Sequence, residues 1–112
     1  MVAGAERDQR RLALYGERYG IEALYTDALE MLAKERLDIV AVATNTKTRA
    51  DLTCLAVDHG AKGIFTEKPM AHTLEDARSM VEVAKRHGVY FEVGFELRHS
   101  MLYMKIKQWI DE

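Results

Sequence analysis

Apolar positions along the chain fall into short unbroken runs that alternate with stretches of helical spacing. Ile39-Val40-Ala41-Val42-Ala43 is the clearest run, the pattern of a strand covered on both faces by helices, as in parallel sheets. Val2 to Ala5, Ala23-Leu24-Tyr25, Gly63-Ile64-Phe65-Thr66 and Val89-Tyr90-Phe91-Glu92-Val93 read as further strands. Between them, Leu12, Tyr15 and Tyr19 recur at helical spacing, with Gly20 placed for a left-handed cap. Asp27 begins a helix that buries Leu29 and Leu32 and ends near Arg36. Leu52, Leu55, Ala56 and His59 mark the face of another, stopping at Gly60. Thr73 caps a fourth that buries Leu74, Ala77, Val81 and Ala84 and closes at Gly88. A last helix carries Leu102, Ile106, Trp109 and Ile110.

This alternation predicts βαβ units, a parallel sheet and right-handed crossovers. In such sheets ligands lie beyond the carboxyl ends of the strands. The informative residues are therefore Glu6, Thr44-Asn45, Glu67-Lys68-Pro69 and the stretch Phe95 to Arg98.

Composition agrees with a folded globular chain: 48% of the 112 residues are hydrophobic and 30% charged, too apolar for intrinsic disorder. The net charge of -2 is spread over interspersed acids and bases, which leaves no basic stripe for nucleic acid and no polybasic segment for a membrane surface. A single cysteine, Cys54, forms no internal disulfide, and the N-terminus lacks a long apolar stretch, so a cytoplasmic location is expected. Cys54 reads as a packed thiol, and the four scattered histidines suggest no metal site. Tyr103 and Trp109 are expected to pack against the sheet or a further domain.

Lys68 stands two residues past a strand and directly before Pro69, which removes a backbone donor and biases Lys68 toward an extended conformation. An ammonium held there can orient a hydroxyl or carbonyl, and it suits acid-base work.

The surroundings of Lys68 sharpen this reading. Tyr25-Thr26-Asp27, Leu37 to Thr44, Gly60 to Phe65, Glu67-Lys68-Pro69-Met70, Thr73 to Ala77, and Val93-Gly94-Phe95 with Arg98 occur in an order and spacing that resembles the Gfo/Idh/MocA family of NAD(P)-dependent oxidoreductases. The resemblance implies a Rossmann-like α/β fold with flanking helices, and NAD or NADP as cofactor. It gives Lys68 the place of the lysine that contacts substrate and assists proton transfer. Glu67 and Pro69 would shape the nicotinamide pocket, and Thr44 and Asn45 would lie along the cofactor, although the family commonly has proline where Asn45 stands. Glu6 falls where an acidic residue accepts hydrogen bonds from the adenosine ribose, which favours NAD, whereas the neighbouring Arg7 argues the other way. Arg98 matches an arginine on the substrate side.

The family opens with a strand and a Gly-x-Gly-x-x-Gly turn that holds the pyrophosphate. This sequence contains neither. Residues 1–112 are thus expected to be a partial dinucleotide-binding domain without its first strand and without a second domain. In the 3-2-1-4-5-6 order that strand would lie between those at Val2 and Ile39. The expected function is that of a fragment of an oxidoreductase acting on a sugar, polyol or similar hydroxyl or carbonyl compound, with nucleotide binding as its residual activity. Its partner is then a small-molecule substrate, and pairing of exposed strand edges makes homo-oligomers an option.

Two other functions compete with this one. Gly60 to Thr66 followed by Lys68-Pro69 also resembles the end of a receiver domain's fifth strand, although Ala43 stands where a phosphoacceptor aspartate should be. A non-catalytic interaction module on the same fold is the other alternative.

Overall fold

The computed structural model describes residues 1–112. Its elements follow the predicted alternation: β1 (Ala3–Ala5), α1 (Gln9–Tyr19), β2 (Ala23–Tyr25), α2 (Ala28–Lys34), β3 (Ile39–Val42), α3 (Thr46–Asp58), β4 (Gly63–Thr66), α4 (Leu74–His87), β5 (Tyr90–Val93), a 3-10 turn at Glu96–His99, and α5 (Met101–Asp111).

Local chemistry sets the helix ends. The Asp8 carboxylate accepts from the amides of Arg10 and Arg11 at 2.9 and 3.0 Å, and Asn45 does the same for Lys47 and Thr48 at 3.1 and 3.3 Å. Thr73 and Asp76 exchange reciprocal hydrogen bonds at 3.1 and 3.2 Å, a capping box that starts α4. Gly20 and Gly88 close α1 and α4 with φ of 63° and 66°, where a Cβ would be strained.

All strand pairing is parallel, but it forms two sheets. β1 pairs with β2, with Ala3 opposite Ala23 and Ala5 opposite Tyr25, while β3, β4 and β5 pair in that order. β1 and β3 are not paired with each other, and in the 3-2-1-4-5-6 order a further strand would lie between them. The two sheets share a core. Met31 and Leu32 of α2, Val40 and Val42 of β3, Ala56 and Val57 of α3, Ala61 and Ile64 form one cluster, against which Ala3 and Tyr25 of the smaller sheet also pack. Burial of each larger side chain here, Met31, Leu32, Val40, Val42, Val57 and Ile64, contributes roughly 1.5–3 kcal/mol.

The structure corrects which faces are covered. The run Ile39–Ala43 suggested helices on both sides, yet only Val40 and Val42 are buried, and Ile39 is 74% exposed. The helices α3 and α4 pack on one face of this sheet, so Phe65 and Tyr90 share the open face with Ile39. In α1 the buried positions are Leu12 and Gly16 rather than Tyr15 and Tyr19, whose rings lie half exposed against each other at 5.5 Å. Gly16 faces Leu24 so closely that a Cβ there would meet Leu24 Cδ1 at 2.6 Å. Leu29 and Leu74 also turn outward, whereas the predicted Leu32 and Ala84 are buried, joined in the core by Met31 and Met80. No residue of α5 is buried and its contacts are with the 3-10 turn alone, so Tyr103 and Trp109 do not pack on the sheet.

Candidate functional site at the carboxyl ends of the strands

Because β3, β4 and β5 run parallel, the segments that follow them emerge at one edge of the sheet. Each segment is anchored by backbone bonds before it carries any chemistry. The Glu67 amide donates to Val42 O at 3.3 Å, and the Gly94 amide donates to Thr66 O at 2.7 Å. Gly94 is set by close approach, since a Cβ there would meet Phe65 Cζ at 2.9 Å. The Lys68–Pro69 peptide bond is cis.

An open cleft of about 390 Å³ lies between these segments, lined by Phe65, Glu67, Lys68, Glu92, Phe95 and Glu96 among others. Lys68 reaches into it and pairs with Glu96, Nζ to Oε1, at 2.9 Å. Both side chains are about half exposed. The hydrogen bond from Lys68 and the turn's own backbone hold the Glu96 carboxyl below the usual carboxylate range, and the same hydrogen bond and charge push the Lys68 ammonium above its ordinary value. Lys68 is therefore held as a cation, with Glu96 as its partner. The Glu67 carboxylate is turned back on its own loop, accepting from the Lys68 amide at 3.1 Å.

The other predicted residues divide into two groups. Thr44 and Asn45 follow β3 and are exposed; the Asn45 side chain is occupied in capping α3. Glu6 follows β1 in the smaller sheet, half-buried, and its carboxylate accepts from the Asp8 amide at 3.0 Å, while Arg7 is exposed beside it. Arg98 lies in the 3-10 turn and does not line the cleft. The structure thus brings Lys68 and Glu67 together in one cleft, with Glu96 as a partner, and leaves Arg98 outside.

Sequence reasoning missed two residues here. Glu96 lay inside the stretch marked as informative, but nothing in the spacing says that it would meet Lys68. Arg49 had a readable signal: with Thr53 and Ala56 it falls on one helical stripe, and all three are buried. Burial likewise pushes the Cys54 thiol up, away from the reactive thiolate.

A carboxylate directly after β1 has the chemistry to accept the hydroxyl donors of a ribose, and the cleft beside Lys68 opens at the edge where the strands end. Glu6 is thus a carboxylate placed at the end of the smaller sheet, and Lys68 the cation at the cleft. Nothing in the chain offers the glycine turn that cradles a pyrophosphate.

Comparison with known proteins agrees with this geometry. Residues 1–95 match the family described as "Oxidoreductase family, NAD-binding Rossmann fold". The chain is 44% identical over 89 residues to a D-apiose dehydrogenase of Paraburkholderia graminis, covering 80% of this chain and 24% of that protein. It is 37% identical over 92 residues to a scyllo-inositol 2-dehydrogenase (NAD(+)) of Bacillus subtilis, covering 82% of this chain and 27% of that one. Among solved structures, myo-inositol 2-dehydrogenase from Lactobacillus plantarum superposes with a TM-score of 0.92 at 27% identity, over 99% of this chain and 33% of that chain. The sequence spans about a quarter of the length of the two curated relatives. The likeness to a receiver domain finds no support, since a single helix, α3, separates β3 from the strand before Lys68.

Proposed function

The chain belongs to the Gfo/Idh/MocA family of NAD-binding oxidoreductases, and from that premise we propose that residues 1–112 are the larger part of a dinucleotide-binding domain serving an NAD(P)-dependent oxidoreductase. The substrate class is a sugar, polyol or similar hydroxyl or carbonyl compound. The observation that carries this reading is Lys68 held at the mouth of β4, its ammonium 2.9 Å from Glu96 in an open cleft. The curated relatives act on apiose and inositol, which supports the substrate class without choosing within it.

The roles follow from the chemistry of each side chain. Lys68 touches the substrate oxygen and holds or delivers its proton, while Glu96 keeps the ammonium charged and aimed. Glu67 and Pro69 wall the nicotinamide end, and Thr44 and Asn45 lie along the cofactor. Glu6 takes the ribose hydroxyls, with Arg7 beside it at the position where a 2′-phosphate would sit. Arg98 contributes on the substrate side from the 3-10 turn, which requires that it swing toward the cleft. The cofactor, when bound, accepts or supplies the hydride. No helix of the structure is long and apolar enough to cross a membrane. A cytoplasmic protein with a small-molecule substrate, and with room for homo-oligomers along its open strand edges, fits the same reading.

The test is titration of the purified chain with NADH, followed by nicotinamide fluorescence. Saturation at millimolar concentration is expected, because the ribose and nicotinamide ends have partners and the pyrophosphate has none. Saturation at micromolar cofactor would contradict that division of labour, and no response at any concentration would contradict the nucleotide-binding role.

A further inference from the structure

Arg49 is 4% exposed, yet no carboxylate lies within ion-pair reach of it. It sits in the first turn of α3, whose end already carries positive partial charge, so neither a salt bridge nor the helix dipole explains it. What surrounds the guanidinium is backbone. Nη1 donates to Glu67 O at 2.8 Å and also to Pro69 O, and Nη2 donates to Thr44 O. Nε is buried without a partner. An unpaired buried charge is costly, and here three carbonyl dipoles are its only compensation.

Those three carbonyls belong to two different loops. Thr44 follows β3, and Glu67 and Pro69 flank Lys68 after β4. The planar fork presents two separate nitrogens, Nη1 to the loop after β4 and Nη2 to the loop after β3, a spacing that the single ammonium of Lys does not reproduce. We infer that Arg49 is a positioning residue that ties the loop carrying Thr44 to the loop carrying Lys68, and so fixes where the Lys68 ammonium stands relative to the cofactor loop. The inference deepens the proposed function and rests on that reading for its consequence, though the tie itself does not.

Arg49→Met keeps the length and apolar stem of the side chain and removes every donor. Hydrogen exchange read by NMR is expected to quicken roughly tenfold at the Glu67 amide, while Val40, Ile64 and Phe91 in the sheet keep their protection. The NADH response of the Thr44, Glu67 and Lys68 amides should weaken in the same variant. Arg49→Lys, which keeps the charge and one carbonyl contact, should recover part of both effects; it also serves where the methionine variant does not fold. Unchanged exchange at Glu67 in Arg49→Met, or loss of protection spread evenly over the sheet in Arg49→Lys, would overturn the inference. If exchange at Glu67 depends on Arg49 but even the unsubstituted chain ignores NADH, the tie stands and the proposed function falls.

Discussion

Lys68 and Glu96 leave the sheet from different strands and meet at 2.9 Å across the cleft. The loop after β4 supplies the cation and the turn after β5 supplies the anion, so a single ion pair bridges two segments that leave the sheet at the same edge. Exposure keeps its contribution to stability small, and its weight lies in where it holds the ammonium.

The pair has a defined pH window. Glu96 titrates lower in the folded chain than in the unfolded one, so its contribution is complete above the ordinary carboxylate value of 4.5 and is lost as pH falls through the folded value. Lys68 titrates higher in the folded chain, so its contribution is complete below the ordinary lysine value of 10.5 and is lost as pH rises through the folded value. Glu96→Gln should return the Lys68 ammonium toward its ordinary value, followed by NMR of the lysine side chain. The stability difference between this variant and the parent should vanish in urea melts run at acid pH.

The caps offer a second prediction. Thr73→Ala removes the acceptor for the Asp76 amide and breaks the reciprocal box, which should cost about 1 kcal/mol in urea unfolding. Thr73→Ser should restore most of it.

Gly20 tests the backbone alone. Nothing lies within 4 Å of a Cβ added there, so the effect of Gly20→Ala comes from the φ of 63° and should be a loss of about 1 kcal/mol. Gly20→Asn should lose less, because asparagine tolerates the left-handed region. Equal stability of the alanine variant in denaturant melts would contradict the cap.

The open face of the larger sheet makes a further prediction. Ile39 and Tyr90 are 74% and 85% exposed on the face that α3 and α4 leave uncovered. Ile39→Thr combined with Tyr90→Thr should lower binding of an apolar dye and reduce aggregation, with stability changed by only about 0.5 kcal/mol.

These contrasts mark what a sequence can say of this fold. Gly20, Gly88, Asp27 and Thr73 carry their meaning locally, because a left-handed φ or a free amide is settled within a few residues, and the element order was legible from them. Ile39 was not, since an apolar run reports that a strand is sticky and not which neighbour covers it. The same holds for α5, whose apolar stripe predicts a helix but cannot say where that stripe goes. At the candidate site, strand ends pointed to Lys68 and Glu67, which line one cleft. The partners that hold them, Glu96 and Arg49, come from other elements, and only the fold brings those within reach.

The most direct test of the account is residue-resolved NMR of the isotope-labelled chain during titration with NADH. Weak, saturable shifts are expected at the amides of Thr44, Asn45, Glu67 and Lys68, with a smaller response at Glu6. Shifts confined to α5 or to the open face around Ile39 and Tyr90, with the Lys68 loop silent at saturation, would contradict it.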